Sequence, residues 1–167
     1  INTSFLDNYA VKNEGAFTLY KAMLVKLINC TFHKNKVVSD GAGIYVQDIS
    51  HMLVLKCNFI EGNSDTESGV FYIHEVSKIL FIRCYFVKNT AKDAAVGKFV
   101  ACNIVLVSAC SFYKNSARQI GGGLYFDDNS KIVISKTTFQ NNIARKGPCI
   151  YAIRIKSLAI QYSIQID

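Results

Sequence analysis

The chain has 167 residues, half of them hydrophobic, with 19 Lys and Arg against 12 Asp and Glu and a formal charge of +7. That is enough for one domain with its own core. No apolar run approaches the roughly 18 residues of a membrane-spanning helix, and no signal peptide opens the chain. The basic balance raises nucleic acid as a partner, but no run of adjacent Lys and Arg supports it.

Taken in order, the first residues, Ile1 to Asn8, already read as the end of a unit that then recurs. Phe-x-x-Asn spans Phe5 to Asn8, Phe32 to Asn35, Phe86 to Asn89, Phe112 to Asn115 and Phe139 to Asn142, with a one-residue variant at Phe59 to Asn63. The six phenylalanines are separated by 27, 27, 27, 26 and 27 residues. Two residues before them stand Cys30, Cys57, Cys84 and Cys110, with Thr3 and Thr137 in the remaining units. A fixed period of this length is the signature of stacked repeats, each of which buries its apolar face only against its neighbours.

Each unit carries two short apolar runs and no 3.6-residue period. Ahead of the cysteine position stand Met52-Leu53-Val54-Leu55, Lys78-Ile79-Leu80-Phe81-Ile82, Asn103-Ile104-Val105-Leu106-Val107 and Lys131-Ile132-Val133-Ile134. After the Phe-x-x-Asn turn come Gly43-Ile44-Tyr45-Val46, Val70-Phe71-Tyr72-Ile73, Gly123-Leu124-Tyr125-Phe126 and Cys149-Ile150-Tyr151-Ala152, introduced by glycine corners such as Gly41-Ala42-Gly43 and Gly121-Gly122-Gly123. Length and β-branching make these strands. Units of this kind wind as a coil in which every strand pairs in register with its equivalent one turn away, about 4.8 Å along the axis. The phenylalanine and cysteine columns then lie inside. Asn8, Asn35, Asn89, Asn115 and Asn142 form a column at a bend, amide to amide and amide to turn backbone.

These glycine corners paired with Phe-x-x-Asn turns resemble the repeat of the polymorphic outer-membrane proteins, a branch of the right-handed parallel β-helix folds that includes pectate lyases and polygalacturonases. The resemblance covers essentially the whole chain, although the corner is degraded at Glu14-Gly15-Ala16, Ser68-Gly69-Val70 and Ala95-Val96-Gly97. It implies an all-β, right-handed parallel β-helix of about six turns, working as a surface or secreted shaft, often adhesive, without catalysis. Residues 1–167 are accordingly expected to be a single segment of a longer exported chain, with caps and targeting signals outside it.

Zinc is not expected, because no Cys-x-x-Cys or His pair occurs. The ladder of Cys30, Cys57, Cys84 and Cys110 is read as buried thiols packing as small hydrophobes, with disulfides between adjacent rungs as the alternative. Cys102 and Cys149 fall off the ladder. Catalysis of the kind found in enzymatic β-helices needs clustered carboxylates, whereas Asp40, Asp48, Glu61, Asp65, Glu67, Glu75 and Asp93 are scattered. Asp127-Asp128-Asn129 faces Ala101-Cys102-Asn103 on this count and reads as a turn. His33, His51 and His74 occupy three different positions of the repeat. No catalytic, cofactor or metal residue is assigned.

Three surface features remain. Tyr45, Tyr72, Phe99, Tyr125 and Tyr151 form an aromatic column whose rings point outward by alternation; it holds a sugar chain or a partner, or else is a self-supporting ladder under neighbouring loops. The strands before the cysteines are apolar at both parities, so Leu53, Leu80, Leu106 and Val133 lie on the outer face, where such a column marks an interface. Basic residues share two further outward positions, Lys56, Arg83 and Lys136 in one and Lys34, Lys88 and Lys114 in the other, and serve either as solvated edge protection or as contacts to an acidic polysaccharide. Asn2 and Asn29 open two N-glycosylation motifs, with side chains expected to face outward. The expected function is a non-enzymatic structural or adhesive shaft at the cell surface or outside the cell, associating with itself or with neighbouring repeats laterally or end to end. No membrane insertion is expected. A carbohydrate-binding module is the second reading and a polysaccharide lyase or hydrolase the third.

Overall fold

The computed structural model describes residues 2–11, 17–38 and 43–166, with backbone only at 165 and 166. The described residues are strands and turns without a helix, and every ladder between strands is parallel and in register. Three sheets run along the coil. The first stacks Thr3–Leu6, Cys30–His33, Asn58–Ile60, Tyr85–Val87, Ser111–Tyr113, Thr138–Gln140 and Ile164–Ile166. The second is a ribbon of two-residue strands, from Tyr9–Ala10 through Lys36–Val37, Asn63–Ser64 and Thr90–Ala91 to Ser116–Ala117. The third holds the long strands Phe17–Ile28, Ile44–Leu55 and Phe71–Ile82, and then pairs of shorter ones, such as Gly97–Val100 with Ile104–Ser108. One turn of coil therefore takes one repeat, and the expected β-helix of about six turns is what the chain forms.

The corners are made by single residues with left-handed backbone. Lys21, Asp48, Glu75, Ala101, Asp128 and Arg154 divide the third sheet into an upper and a lower facet. Asn29, Lys56, Arg83, Ala109, Lys136 and Tyr162 turn the chain into the first sheet, and Asp7, Lys34, Glu61, Lys88, Lys114 and Asn141 turn it out again. Each φ lies near +50°, a conformation that costs an L residue roughly 1–2 kcal/mol. It recurs because a sharp bend is needed once per facet in every turn. The two basic positions picked out from sequence are therefore corners. Their columns are less uniform than expected, because Glu61 stands between Lys34 and Lys88, and Ala109 between Arg83 and Lys136. Glu61 Oε1 lies 3.6 Å from Lys88 Nζ, so the second of these columns contains an ion pair.

Inside, residues of one type stack. Phe5, Phe32, Phe59, Phe86, Phe112 and Phe139 form a column with ring centroids 4.5 to 5.1 Å apart. Met52, Ile79, Val105 and Ile132, with Val54, Phe81, Val107 and Ile134, pack against it from the lower facet. The asparagine column bonds as expected: Asn89 Nδ2 donates to Asn115 Oδ1 at 3.0 Å, and Asn115 Nδ2 donates to Asn142 Oδ1 at 2.9 Å. Its third rung is Gly62, which donates its N–H to Asn89 Oδ1 at 2.9 Å, whereas Asn63 pairs outside the column with Lys36 and Thr90. The glycine corner is tight at Gly122, where an added Cβ would stand 2.2 Å from the Pro148 carbonyl oxygen of the next turn. Gly41, Ala42 and the corner Glu14-Gly15-Ala16 lie outside the described residues.

Candidate functional site: an outward ladder of tyrosine and lysine and an apolar facet

The upper facet of the third sheet begins directly after the glycine corner. Its register pairs Thr18, Tyr45, Tyr72, Lys98, Tyr125 and Tyr151. Phe99 therefore does not belong to the aromatic column. It is fully buried and stacks on Phe126 at 5.1 Å. The loop from Ala91 to Gly97 is one residue shorter than its counterpart from Ser64 to Phe71, so the strand enters one position early. Counting forward by 27 from Tyr72 misses that deletion.

Lys98, which the sequence reading missed, is the centre of the column. Its side chain is 15% exposed, its ammonium lies 5.4 Å from the Tyr72 ring centroid and 5.5 Å from that of Tyr125, and it donates to Glu67 Oε2 at 2.6 Å. Cation–π contact on both sides and a carboxylate at the tip account for a lysine with so little water. Nearby, burial raises the carboxyl of Asp93 above its ordinary value, an effect opposed by Lys92 and Lys98. At the far end Tyr125 donates to Asp127 Oδ2 at 3.3 Å, and Arg154 reaches Asp127 Oδ1 at 2.5 Å. Burial, then the Asp127 charge, pushes the Tyr125 phenol up to about 12.

The rings use their faces on one another. Tyr45 and Tyr72 are parallel within 2° at 5.4 Å, and Tyr125 and Tyr151 are tilted at 5.6 Å. What the column offers outward is ring edges and hydroxyls, and Tyr45 already donates to Gln47 Oε1 at 3.0 Å. A sugar ring that stacks on an aromatic face meets Tyr45 and Tyr72 stacked on each other and Lys98 lying over Tyr72 and Tyr125.

Acidic residues that look scattered in sequence share a corner. Asp48 and Glu75 are successive rungs, then Ala101, then Asp128. They stand exposed on a convex edge, and Glu75 lies 3.8 Å from His74 Nε2. The counterpart of Asp127-Asp128-Asn129 is Val100-Ala101-Cys102, one residue earlier than expected, and it too is without acid. Asn129 is structural: it accepts from Cys102 N at 3.0 Å and donates to the carbonyls of Phe99 and Asp127. Cys102 thus has a column partner after all. His33 lies 3.7 Å from Glu61 and His51 is exposed, so the three histidines do not converge. Asp40 lies outside the described residues, and among those described no group of three metal-ligating side chains occurs.

The thiol ladder shows why Cys, Thr and Ser interchange there. Cys57 Sγ donates to the carbonyl two residues back, at Leu55, and accepts the N–H of Cys30 at 3.4 Å. Thr137 Oγ1 does the same work with Ser135 O and Cys110 N, and Ser163 Oγ follows with Gln161 O and Thr137 N. Cys30, Cys57, Cys84, Cys102 and Cys110 are buried and outside any disulfide. Cys84 is pushed up to about 12, mainly by its bond to Cys110, and Cys102 to about 12 by burial, against 9.0 for an ordinary thiol. In the unfolded chain these thiols lose their protons as the pH passes about 9, while the folded chain keeps them until about 12. Folding stability is unaffected below that window and falls as pH rises through it. Melting temperature should decline steeply above pH 9, and thiol labelling at neutral pH should modify at most one cysteine per folded chain and all six after denaturation.

The lower facet carries the predicted apolar column. Leu53, Leu80, Leu106 and Val133 are successive rungs on the outer face, half-buried by one another, with Lys26 and Ala159 at the ends. Beside them the outward column of Leu55 and Ile82 continues the surface to Ser108 and Ser135. Asn2 and Asn29 are both exposed, Asn29 at the corner that ends this facet.

An all-parallel coil with one repeat per turn and side-chain ladders inside is a β-helix, and the sequence matches the family model described as "Right handed beta helix region" over residues 14–164. The chain belongs to that family. No curated protein and no solved structure matches it. The right-handed β-helix fold serves enzymes of the pectin-lyase kind and non-enzymes alike, so function has to be argued from this surface.

Proposed function

We propose that the chain is a non-enzymatic structural or adhesive shaft of an exported or cell-surface protein, which attaches sideways through its lower facet. The observation that carries this reading is the leucine column: four aliphatic rungs on the outer face of a flat, in-register sheet, in a family fold whose outer strand positions are ordinarily polar. An interior filled by ladders gives stiffness, and repetition extends a rod without changing its unit. The likeness to the polymorphic outer-membrane-protein repeat supports an adhesive role, and the exposed Asn2 and Asn29 suit export. Against the lyase or hydrolase reading stand the acids on a convex corner, one of them held by histidine. Against the carbohydrate-binding reading stand the faces of Tyr45, Tyr72 and Tyr125, which meet a neighbouring ring or Lys98.

Negative-stain electron microscopy of the native material over a dilution series tests this. Rods lying side-on against one another or against a larger surface, with the leucine facet covered, are the expected result. Isolated rods at every dilution would remove the reading.

A further inference from the structure

The charge of this protein is distributed by facet. The lower facet of the third sheet and the first sheet, which meet at the corner of Lys56 and Arg83, comprise residues 22–33, 49–60, 76–87, 102–113, 129–140 and 155–166. These segments hold seven of the 19 Lys and Arg and none of the 12 Asp and Glu. The rest of the chain holds twelve of each, so the whole formal charge of +7 belongs to this one side.

The placement of those charges frames the apolar column. Lys56, Arg83 and Lys136 stand on the corner along one long edge of the leucine facet. Lys78 and Lys131 stand in the outward column nearest the other edge, with the apolar Ile104 between them, and that edge is itself the corner of Asp48, Glu75, Ala101 and Asp128. Lys26 and Lys156 mark the two ends. None of the seven makes an ion pair with a described residue. At the first turn Met23 and Leu24 project from the same side, 80% and 55% exposed.

Resting on the reading of this facet as the shaft's attachment face, we propose that what it attaches to is an anionic phospholipid surface. A second copy running antiparallel fits poorly, because the two-fold axis lays the Lys56, Arg83 and Lys136 corner over itself. A parallel copy brings that corner over the Lys78 and Lys131 column, with Asp48, Glu75 and Asp128 on the corner beyond it, and supplies no anion to the lysines inside the facet. An acidic polysaccharide answers the charges but leaves the leucine, isoleucine and methionine side chains against hydroxyls. A lipid interface answers both. Phosphates meet the lysine and arginine rims while the aliphatic stripe reaches the glycerol and upper acyl region, the division of labour seen in interfacial amphipathic helices. Between its two corners the facet carries Lys and no acidic residue, the exposed Asp48, Glu75 and Asp128 standing on the corner that ends it. Attachment is peripheral, since the aliphatic side chains are half-buried among themselves.

The test is co-sedimentation of the purified chain with phosphatidylcholine vesicles, with and without phosphatidylglycerol, alongside sedimentation velocity of the chain alone. Binding is expected only to the anionic vesicles and should weaken with salt. The exposed triple variant Lys56→Gln/Arg83→Gln/Lys136→Gln should lower partitioning by about a hundredfold at low salt, at roughly fivefold per charge. The outward variant Leu80→Ser/Leu106→Ser, checked for an unchanged circular-dichroism spectrum, should lower it by roughly tenfold while leaving binding to heparin intact. Rods that self-associate through the leucine facet and ignore vesicles would overturn the lipid proposal and leave the shaft standing. Rods that do neither would overturn both. Vesicle binding that is insensitive to the leucine variant and matched by heparin would show a general polyanion site and overturn the proposal.

Discussion

Phe86→Ala is expected to destabilise the protein by about 3–5 kcal/mol. The ring is buried, lies 5.1 Å from Phe59 below and 4.6 Å from Phe112 above, and meets the edges of Phe71 and Phe81 at 6.4 and 6.0 Å. Two features place the cost at the upper end. Backbone pairing of Phe86 with Phe59 and Phe112 fixes the rung spacing, so neighbouring rings cannot close into the space. The missing ring also interrupts contact between successive turns, and in a solenoid that interface carries much of the stability. Phe5→Ala, at a half-buried ring of the first described strand, should cost about half as much. Denaturant titration of the two variants measures the difference. For Phe86→Ala the unfolding transition should also broaden or split, as the turns on either side uncouple. A loss below about 1 kcal/mol with a single sharp transition would mean that the column is packing filler and that the backbone ladders hold the coil alone.

What was legible in the sequence was what repeats by residue type. Phenylalanine, asparagine and cysteine recur at fixed offsets because each has one packing or bonding partner, the same residue one turn away. Parity then placed Leu53, Leu80, Leu106 and Val133 outside. Errors arose where a position keeps its geometry but changes its residue. Lys98 replaces tyrosine on a rung that a shortened loop shifts by one, so a count of 27 chose Phe99. Gly62 replaces asparagine on its rung, and the asparagine that follows it, Asn63, lies outside the column. The corners were the largest omission. Left-handed φ at Lys34, Lys56 or Arg83 leaves no compositional mark of the kind glycine would leave, and only the spacing of Asp48, Glu75 and Asp128, one repeat of 27 residues and then two of 53 together, marks the acids as one column. Charge segregation was present in the sequence throughout but becomes visible only after the facets are assigned.

Asn115→Ala should cost about 2–4 kcal/mol although it removes few atoms, because it strands polar groups that have no access to water. Asn115 Oδ1 accepts from both the backbone N–H and the side-chain amide of Asn89, each at 3.0 Å, and its Nδ2 donates to the Phe86 carbonyl at 3.0 Å and to Asn142 Oδ1 at 2.9 Å. Asn89 and Asn115 are both fully buried. The natural exception at Gly62 sharpens the test. There the chain dispenses with an amide, and the place its side chain would fill is closed, since a Cβ would lie 3.0 Å from both Asn89 Oδ1 and the Gly69 carbonyl oxygen. Backbone has moved in where the side chain is absent. Asn115→Ala has no such compensation, and the reverse change, Gly62→Asn, should fail to stabilise despite restoring the motif. Asn142→Ala, on a half-buried rung, should fall at the low end of the range. Equilibrium unfolding of the three variants, with amide exchange at Asn89 as a local reporter, decides the matter. Equal small losses for Asn115→Ala and Asn142→Ala would mean that water replaces the amide, and that the ladder sets the bend without carrying stability.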